Sequence, residues 1–264
     1  MIEYLFLDLD DTILDFAQAE RVALAKTLTA FGVEPTAERI DRYSRINKDC
    51  WKRMEQGELT RDQLRTVRFA EFFAELDMEA DVEAVAKAYV DNLAVGHFFL
   101  PGAEEAVERL SKKYRLFLAS NGMASVQKGR MTSANLYRFF ERSFISEEMG
   151  AAKPAKAYFD AAFATIPGFD PAKAIMVGDS LTSDIQGGIN AGIRTCWVNP
   201  GRKTRRADVV PHHEIASLGE LEALLETLEK EGASAGCSFS HSLISTKSPM
   251  VMESMPISQS TAST

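Results

Sequence analysis

Four short apolar runs, Tyr4 to Leu9, Arg115 to Ala119, Ala174 to Val177 and Thr195 to Val198, constrain this chain of 264 residues more than any other feature. Each has the length and composition of a buried strand. Three of them end at a polar cluster: Asp8-Leu9-Asp10-Asp11, Ser120-Asn121-Gly122 and Gly178-Asp179-Ser180. An open parallel sheet gathers its ligand-binding loops at the carboxyl ends of its strands, so this arrangement predicts an α/β protein with a site along one sheet edge. A further strand over Ser143 to Ser146 precedes a polar turn reaching Lys153. Helical patterns intervene, as at Val107/Leu110 and Ile185/Ile189, and the alternation predicts a doubly wound parallel sheet.

Between Phe16 and about Phe99 the strand signals vanish and helical periodicity replaces them. Val82, Val85, Ala86, Tyr89, Val90 and Leu93 form one apolar stripe, and Leu24, Leu28 and Phe31 form another that Gly32 stops. The expected organisation is a core of residues 1–15 and 100–230, an all-helical insertion at 16–99, and a disordered Ser/Thr-rich tail at 233–264. Met250, Met252 and Met255 in that tail hint at a docking segment, but an extension without function is the preferred reading.

A formal net charge of −8 argues against a nucleic-acid polymer as partner, while leaving room for a small phosphorylated molecule held by local cations and amides. No stretch approaches the roughly 20 apolar residues of a membrane span. The amino-terminal apolar run turns acidic at Asp8, too soon for a signal peptide, so the expected location is the cytoplasm. Cys50, Cys196 and Cys237 make no CxxC pair and indicate neither a disulfide framework nor zinc. Arg202-Lys203-Thr204-Arg205-Arg206 reads as a solvated loop.

Four elements carry chemistry. In Asp8-Leu9-Asp10-Asp11-Thr12, two carboxylates two residues apart project to the same side if the chain stays extended, so that one can attack while the other handles protons. Taken alone, the segment is equally well an acidic turn. Ser120, with neighbouring backbone amides, offers donors for phosphate oxygens, and Lys153 presents an ammonium before Pro154. In Gly178-Asp179-Ser180-Leu181-Thr182-Ser183-Asp184, two carboxylates supply hard oxygen ligands of the kind magnesium takes. The structural alternative has Asp179 capping a helix and Asp184 solvated on it.

In this order the four elements resemble the signature of the haloacid dehalogenase-like superfamily: DxDxT, a strand-end Ser or Thr, a Lys before Pro, and GDxxxxD. The resemblance covers Met1 to about Leu228, with the helical insertion where that family carries its type 1 cap. It implies a Rossmann-like core under an inserted all-helical cap and a magnesium-dependent phosphomonoesterase. Asp8 would be the nucleophile and Asp10 the acid/base, with Ser120, Asn121 and Lys153 on the phosphate. The Mg2+ ligands it implies are Asp8, the Asp10 carbonyl and Asp179, with Asp184 beside them.

Asn47-Lys48-Asp49-Cys50-Trp51, then Gly57, Thr60, Leu64, Arg68 and Phe69, resemble the pyrimidine 5'-nucleotidase branch, as do Ile145-Ser146-Glu147-Glu148, Gly187-Gly188-Ile189-Asn190-Ala191-Gly192 and Thr195-Cys196-Trp197-Val198-Asn199. That likeness implies pyrimidine nucleoside monophosphates (dUMP, UMP, dTMP) as substrates. Trp51, Arg68 and Phe69 are the cap residues that would meet a base, although cap-core packing is the more common fate of such aromatics. His97 is either a polar pocket residue or a linker side chain. The rival readings are a phosphatase or phosphomutase of sugar phosphates, and a non-catalytic binding protein on the same fold.

Overall fold

Along the first strand, β1 (Tyr4–Leu7), side chains alternate between two buried faces, and that alternation sets the architecture. A computed structural model of the protein describes residues 1–202 and 208–239. After β1 come α1 (Phe16–Ala30), α2 (Ala37–Glu55), α3 (Arg61–Glu75) and α4 (Val82–Ala94), then α5 (Ala103–Ser111), β2 (Arg115–Ser120) and α6 (Ala124–Ser133). The chain continues through β3 (Arg142–Ile145), α7 (Ser146–Met149), α8 (Lys156–Phe163), β4 (Ala174–Gly178), α9 (Gln186–Asn190), β5 (Arg194–Val198), β6 (His213–Ile215) and α10 (Leu221–Phe239). Among the described residues six strands form one sheet in the order β3-β2-β1-β4-β5-β6, with every pairing parallel.

Leu5, Leu7, Leu116, Leu118, Ile175 and Val177 point to one face and join Val107, Leu110 and Leu221 from α5 and α10. Tyr4, Phe6, Phe117, Ala119 and Met176 point to the other, against Tyr158, Phe159 and Ala162 of α8. Phe6, Phe117 and Phe144 stack across three neighbouring strands, with centroids 5.2 Å (Phe6 to Phe117) and 6.1 Å (Phe117 to Phe144) apart. Both faces are therefore covered, as a doubly wound sheet requires. Strand order reverses at β1, and the crevice outside its carboxyl end is where such sheets bind ligands.

The helices α1 to α4 bury a separate cluster that includes Leu24, Leu28, Tyr43, Phe69, Phe72 and Tyr89. Their starts follow local rules: Asp15, Thr36, Thr60 and Asp81 each accept a hydrogen bond from a first-turn amide, and Thr60 with Gln63 forms a capping box. Met123 and Val126, at the start of α6, enter the same cluster and tie it to the sheet. A Cβ at Gly129 would lie 2.6 Å from the Ala94 carbonyl oxygen, so only glycine allows α6 this close to the end of α4.

Several expectations need correction. Phe31 is 39% exposed and lies off the buried stripe of α1, because the chain has already left the helix at that residue. The β6 strand gave no sequence signal, being three residues long and only half-buried in its first two. α10 runs to Phe239, past the Ala233 at which the tail is expected to begin; the helix formers Leu, Ala and Glu before Gly232 start it, and Ala233 and Ala235 lie in its continuation. Lys203, Thr204, Arg205 and Arg206 lie outside the described residues, as do positions 240–264 with Met250, Met252 and Met255. Among the described residues no helix is long and apolar enough to cross a membrane.

Candidate active site

The side chains singled out at the strand ends meet in one cleft. Asp8 follows β1, and its backbone N–H donates to the Val177 carbonyl on β4 at 3.0 Å. Lys153 reaches in from the loop after α7: its Nζ donates to Asp8 Oδ1 at 2.7 Å, Asp184 Oδ1 at 2.6 Å and the Ala119 carbonyl at 2.6 Å. Asp8, Asp179 and Asp184 bring one carboxylate oxygen each within 4.8 Å of one another. A cavity of about 320 Å³ opens over them, bordered also by Asp10, Ser120, Asn121 and Trp51.

The second half of the site is built after β4. Leu181–Ile185 forms a π-helical turn, a feature frequent at functional sites, and Ser180 caps it by accepting from Ser183 N at 3.2 Å. The cap is thus Ser180, not Asp179. Asp184 is buried rather than solvated, accepting from Ser180 N at 3.0 Å through Oδ2. A Cβ on Gly178 would sit 2.2 Å from that same Oδ2, so the glycine is what lets Asp184 fold back over the strand end. Trp197 Nε1, from β5, donates to the Asp179 carbonyl at 2.8 Å and fixes the start of the loop.

With all three carboxylates ionised, one ammonium would leave two negative charges uncompensated in a mostly buried space. Burial, opposed by Lys153 and reinforced by the neighbouring carboxylates, pushes Asp8 well above its usual range. Burial and the Asp184 charge push Asp179 up to about 7. For Lys153, burial acts downward, but Asp184 and Asp8 outweigh it and hold the ammonium above its ordinary value. This set fits a divalent cation with a preference for oxygen: hard donors only, and a charge deficit of the right size.

A pH dependence follows for the metal-free protein. A carboxyl group raised in the fold stabilises it while protonated, so the Asp179 contribution is full below pH ~4 and is lost as the pH rises through about 7. Scanning calorimetry without divalent cations is expected to give a higher melting temperature at pH 6 than at pH 8, with a smaller difference in Asp179→Asn. An unchanged difference in that variant would show that the cluster is not its source.

Asp10 is arranged quite differently from Asp8. Its Oδ2 accepts from Gln127 Nε2 at 2.7 Å and its Oδ1 from Arg130 Nη1, so the carboxylate turns toward α6 while still bordering the cleft. Gln127 Nε2 also donates to Ser120 Oγ at 2.7 Å. Arg130 is fully buried; its Nε donates to the Gly96 carbonyl at 2.9 Å and its guanidinium lies 5.8 Å from the Phe16 ring. Sequence reading missed Gln127 and Arg130. Their i, i+3 spacing puts both on one face of α6, the one available clue.

The Asn121 side chain engages the Lys153 backbone. Its Oδ1 accepts from Lys153 N at 2.9 Å and its Nδ2 donates to the Lys153 carbonyl at 2.8 Å, clamping the lysine backbone and leaving the side chain occupied. Asp11, to which no chemistry was assigned, sits in a left-handed turn (φ 54°) and accepts from Phe16 N at 3.1 Å. Asp tolerates that conformation better than most residues. Of the three cap residues, Trp51 borders the cleft and Arg68 borders an adjoining cavity. Phe69 is fully buried between Tyr43 and Tyr89, with centroids 4.9 Å and 5.3 Å away, and packs the interior of the helical cluster. His97 is exposed on the linker, its Nδ1 2.8 Å from the Val95 carbonyl.

Comparison with known proteins gives a consistent picture. The model of the haloacid dehalogenase-like hydrolases matches residues 2–192. The pyrimidine 5'-nucleotidase PynA of Streptococcus pneumoniae is 36% identical over 86% of this chain and 95% of its own. The pyrimidine 5'-nucleotidase YjjG of Escherichia coli is 32% identical over 84% and 97%. The crystal structure of the HAD-hydrolase YfnB of Bacillus subtilis, solved with magnesium bound, superposes with a TM-score of 0.81 at 36% identity, covering 85% of this chain and 98% of that one.

Proposed function

The chain belongs to the haloacid dehalogenase-like hydrolases, and from that premise we propose that it is a magnesium-dependent phosphomonoesterase acting on pyrimidine nucleoside monophosphates. The observation that carries the chemistry is the pair of unlike aspartates. Asp8 lies 2.7 Å from Lys153 beside two further carboxylates, whereas Asp10 is held by Gln127 and Arg130 of α6. Two carboxylates in such different surroundings suit two different roles.

An Asp8 oxygen forms a bond to phosphorus as the ester P–O bond breaks, and the departing oxygen takes a proton from Asp10. Asp10 then takes a proton from water as that water attacks phosphorus, which frees the Asp8 carboxylate and inorganic phosphate. Lys153 and Ser120 donate to the non-bridging oxygens, where charge must be held during transfer. Asn121 acts on this step through Lys153, whose backbone it clamps. Gln127 and Arg130 hold Asp10 at the border of the cleft, and its carboxylate must exchange one of these contacts for the leaving-group oxygen when the proton moves.

Magnesium would be held by the Asp8 and Asp179 carboxylates and the Asp10 main-chain carbonyl, with Asp184 alongside. It would offset the repulsion between a carboxylate and a phosphate dianion. The Asp10 arrangement separates this reading from dehalogenation, which needs neither the acid/base nor the metal.

The nucleotide preference draws on PynA and YjjG, relatives named for that activity. A panel of UMP, dUMP, dTMP, purine monophosphates, ribose 5-phosphate and glucose 6-phosphate, assayed with magnesium for released phosphate, tests it. The pyrimidine monophosphates are expected to give the highest kcat/KM. Higher values for the sugar phosphates would overturn the nucleotidase assignment and leave the reaction type standing. Phosphate release that depends on a bisphosphate activator would favour a mutase.

A further inference from the structure

The helical cluster holds a cation that the reaction above does not use. Arg68 on α3 is 2% exposed, and its guanidinium lies over the Tyr89 and Phe69 rings at 4.9 Å and 5.4 Å. One edge of it is well supported. Nη1 donates to Asn47 Oδ1 at 3.0 Å, and Asn47 Nδ2 donates to Glu20 Oε1 at 2.6 Å. Ser44 Oγ donates to the other Glu20 oxygen at 2.5 Å, so the relay ends on a carboxylate held from both sides.

The opposite edge has no such support. Nε and Nη2 are buried and have no hydrogen-bond partner among the described residues. These two groups form one side of the planar guanidinium fork and donate in nearly the same direction. Leaving charged donors buried and unmatched is costly, and the packed rings and Asn47 relay hold the fork so that it cannot turn to find water. Arg68 borders a cavity of about 40 Å³ whose other walls include Phe16, Trp51, Leu93, Met123 and Val126. That cavity is continuous in its lining with the main cleft, since Asp10, Phe16, Trp51 and Gly122 border both.

We propose that the free edge of Arg68 is the specificity determinant for the leaving group, donating to a keto oxygen carried on a flat ring. The inference rests on the phosphomonoesterase reading and narrows its substrate class. A guanidinium can only donate, so its partner must accept. A keto oxygen accepts both N–H groups, whereas an exocyclic amino group in that place would set donor against donor. Apart from Arg68, Asp10 and Gln127 the walls are apolar, with Trp51 offering a face on which a ring can pack, and a space of about 40 Å³ is tighter for a fused pair than for one six-membered ring. A keto-pyrimidine meets all three conditions.

The test compares UMP, ribose 5-phosphate and a UMP analogue whose base is replaced by phenyl, using the wild-type protein, Arg68→Met and Arg68→Lys with magnesium. In Arg68→Met, kcat/KM for UMP is expected to fall by about 30-fold, the range of a hydrogen bond to a charged donor, and at least ~10-fold more than for ribose 5-phosphate. Arg68→Lys should recover part of the loss, and the wild type should turn over the phenyl analogue ~10-fold or more below UMP.

Equal losses on UMP and ribose 5-phosphate would reduce Arg68 to a support of the cap. Equal wild-type turnover of UMP and the phenyl analogue would overturn the proposal even if the variants fail to fold. Wild-type preference for ribose 5-phosphate over UMP would overturn both this inference and the nucleotidase reading. Failure of the Arg68 arms alone leaves that reading intact.

Discussion

Asp8→Asn is expected to lower phosphate release by ~10⁴-fold or more while leaving the protein folded, because an amide cannot form the covalent intermediate. The surroundings of Asp8 make the second half of this expectation specific. It is one of three clustered carboxylates, two of which share the Lys153 ammonium, and burial pushes it well above its usual range, so its charged form is unfavourable in the fold without a cation. The amide removes one of these charges while Lys153 keeps Asp184 at 2.6 Å and the Ala119 carbonyl at 2.6 Å. The metal-free variant should therefore melt at or above the wild-type temperature. Activity within tenfold of wild type, measured as inorganic phosphate with magnesium, would remove Asp8 from the nucleophile's role. A large drop in melting temperature would show that its pairing with Lys153 holds the sheet edge together.

Gly178→Ala is the sharpest test of the geometry. The new methyl carbon would lie 2.2 Å from Asp184 Oδ2 and 2.3 Å from its Cγ, far inside contact distance, so the Asp184 carboxylate must leave its place. Asp184 is held by Ser180 N on one oxygen and by Lys153 on the other, and Lys153 in turn holds Asp8. Displacement at one position thus reaches the nucleophile through two hydrogen bonds. A misplacement of about 1 Å at a reacting group costs ~10²-fold in rate. Forced overpacking costs ~1–3 kcal/mol of stability. Both losses are expected together, along with weaker magnesium binding by calorimetric titration. Gly219→Ala provides the control, since the nearest atom to its Cβ is Ser217 Oγ at 3.6 Å. Kinetics for Gly178→Ala that match Gly219→Ala would mean that Asp184 does not couple to the site.

Much of the sheet was legible because a buried strand writes itself locally. Tyr4 to Leu7 shows the same apolar residues whether met as a sequence or as a strand, and polar residues then mark where it stops. The four elements bearing Asp8, Ser120, Lys153 and Asp179/Asp184 could be placed at one sheet edge, since strand ends in a parallel sheet share an edge. The helical starts at Asp15, Thr36, Thr60 and Asp81 are equally local, each cap lying within three residues of the amide it accepts from. By contrast, β6 depends on its neighbour. His213 to Ile215 is a strand because β5 offers it an edge, and three residues carry no period of their own.

By itself, the sequence determined which side chains stand at the strand ends, because alternation, length and turn chemistry are properties of neighbouring residues. Only the tertiary structure decided what each side chain is bonded to. Gln127 and Arg130 meet Asp10 across 117 and 120 residues of chain, and no local pattern specifies such a pairing. The Asn121 side chain is taken by the Lys153 backbone 32 residues away, a pairing that neighbouring residues do not specify. Arg68 and Phe69 are adjacent in sequence, yet one borders a cavity beside the cleft and the other is sealed among aromatic rings. On a helix, consecutive residues point about 100° apart, so which of them meets the cleft depends on how the helix is packed.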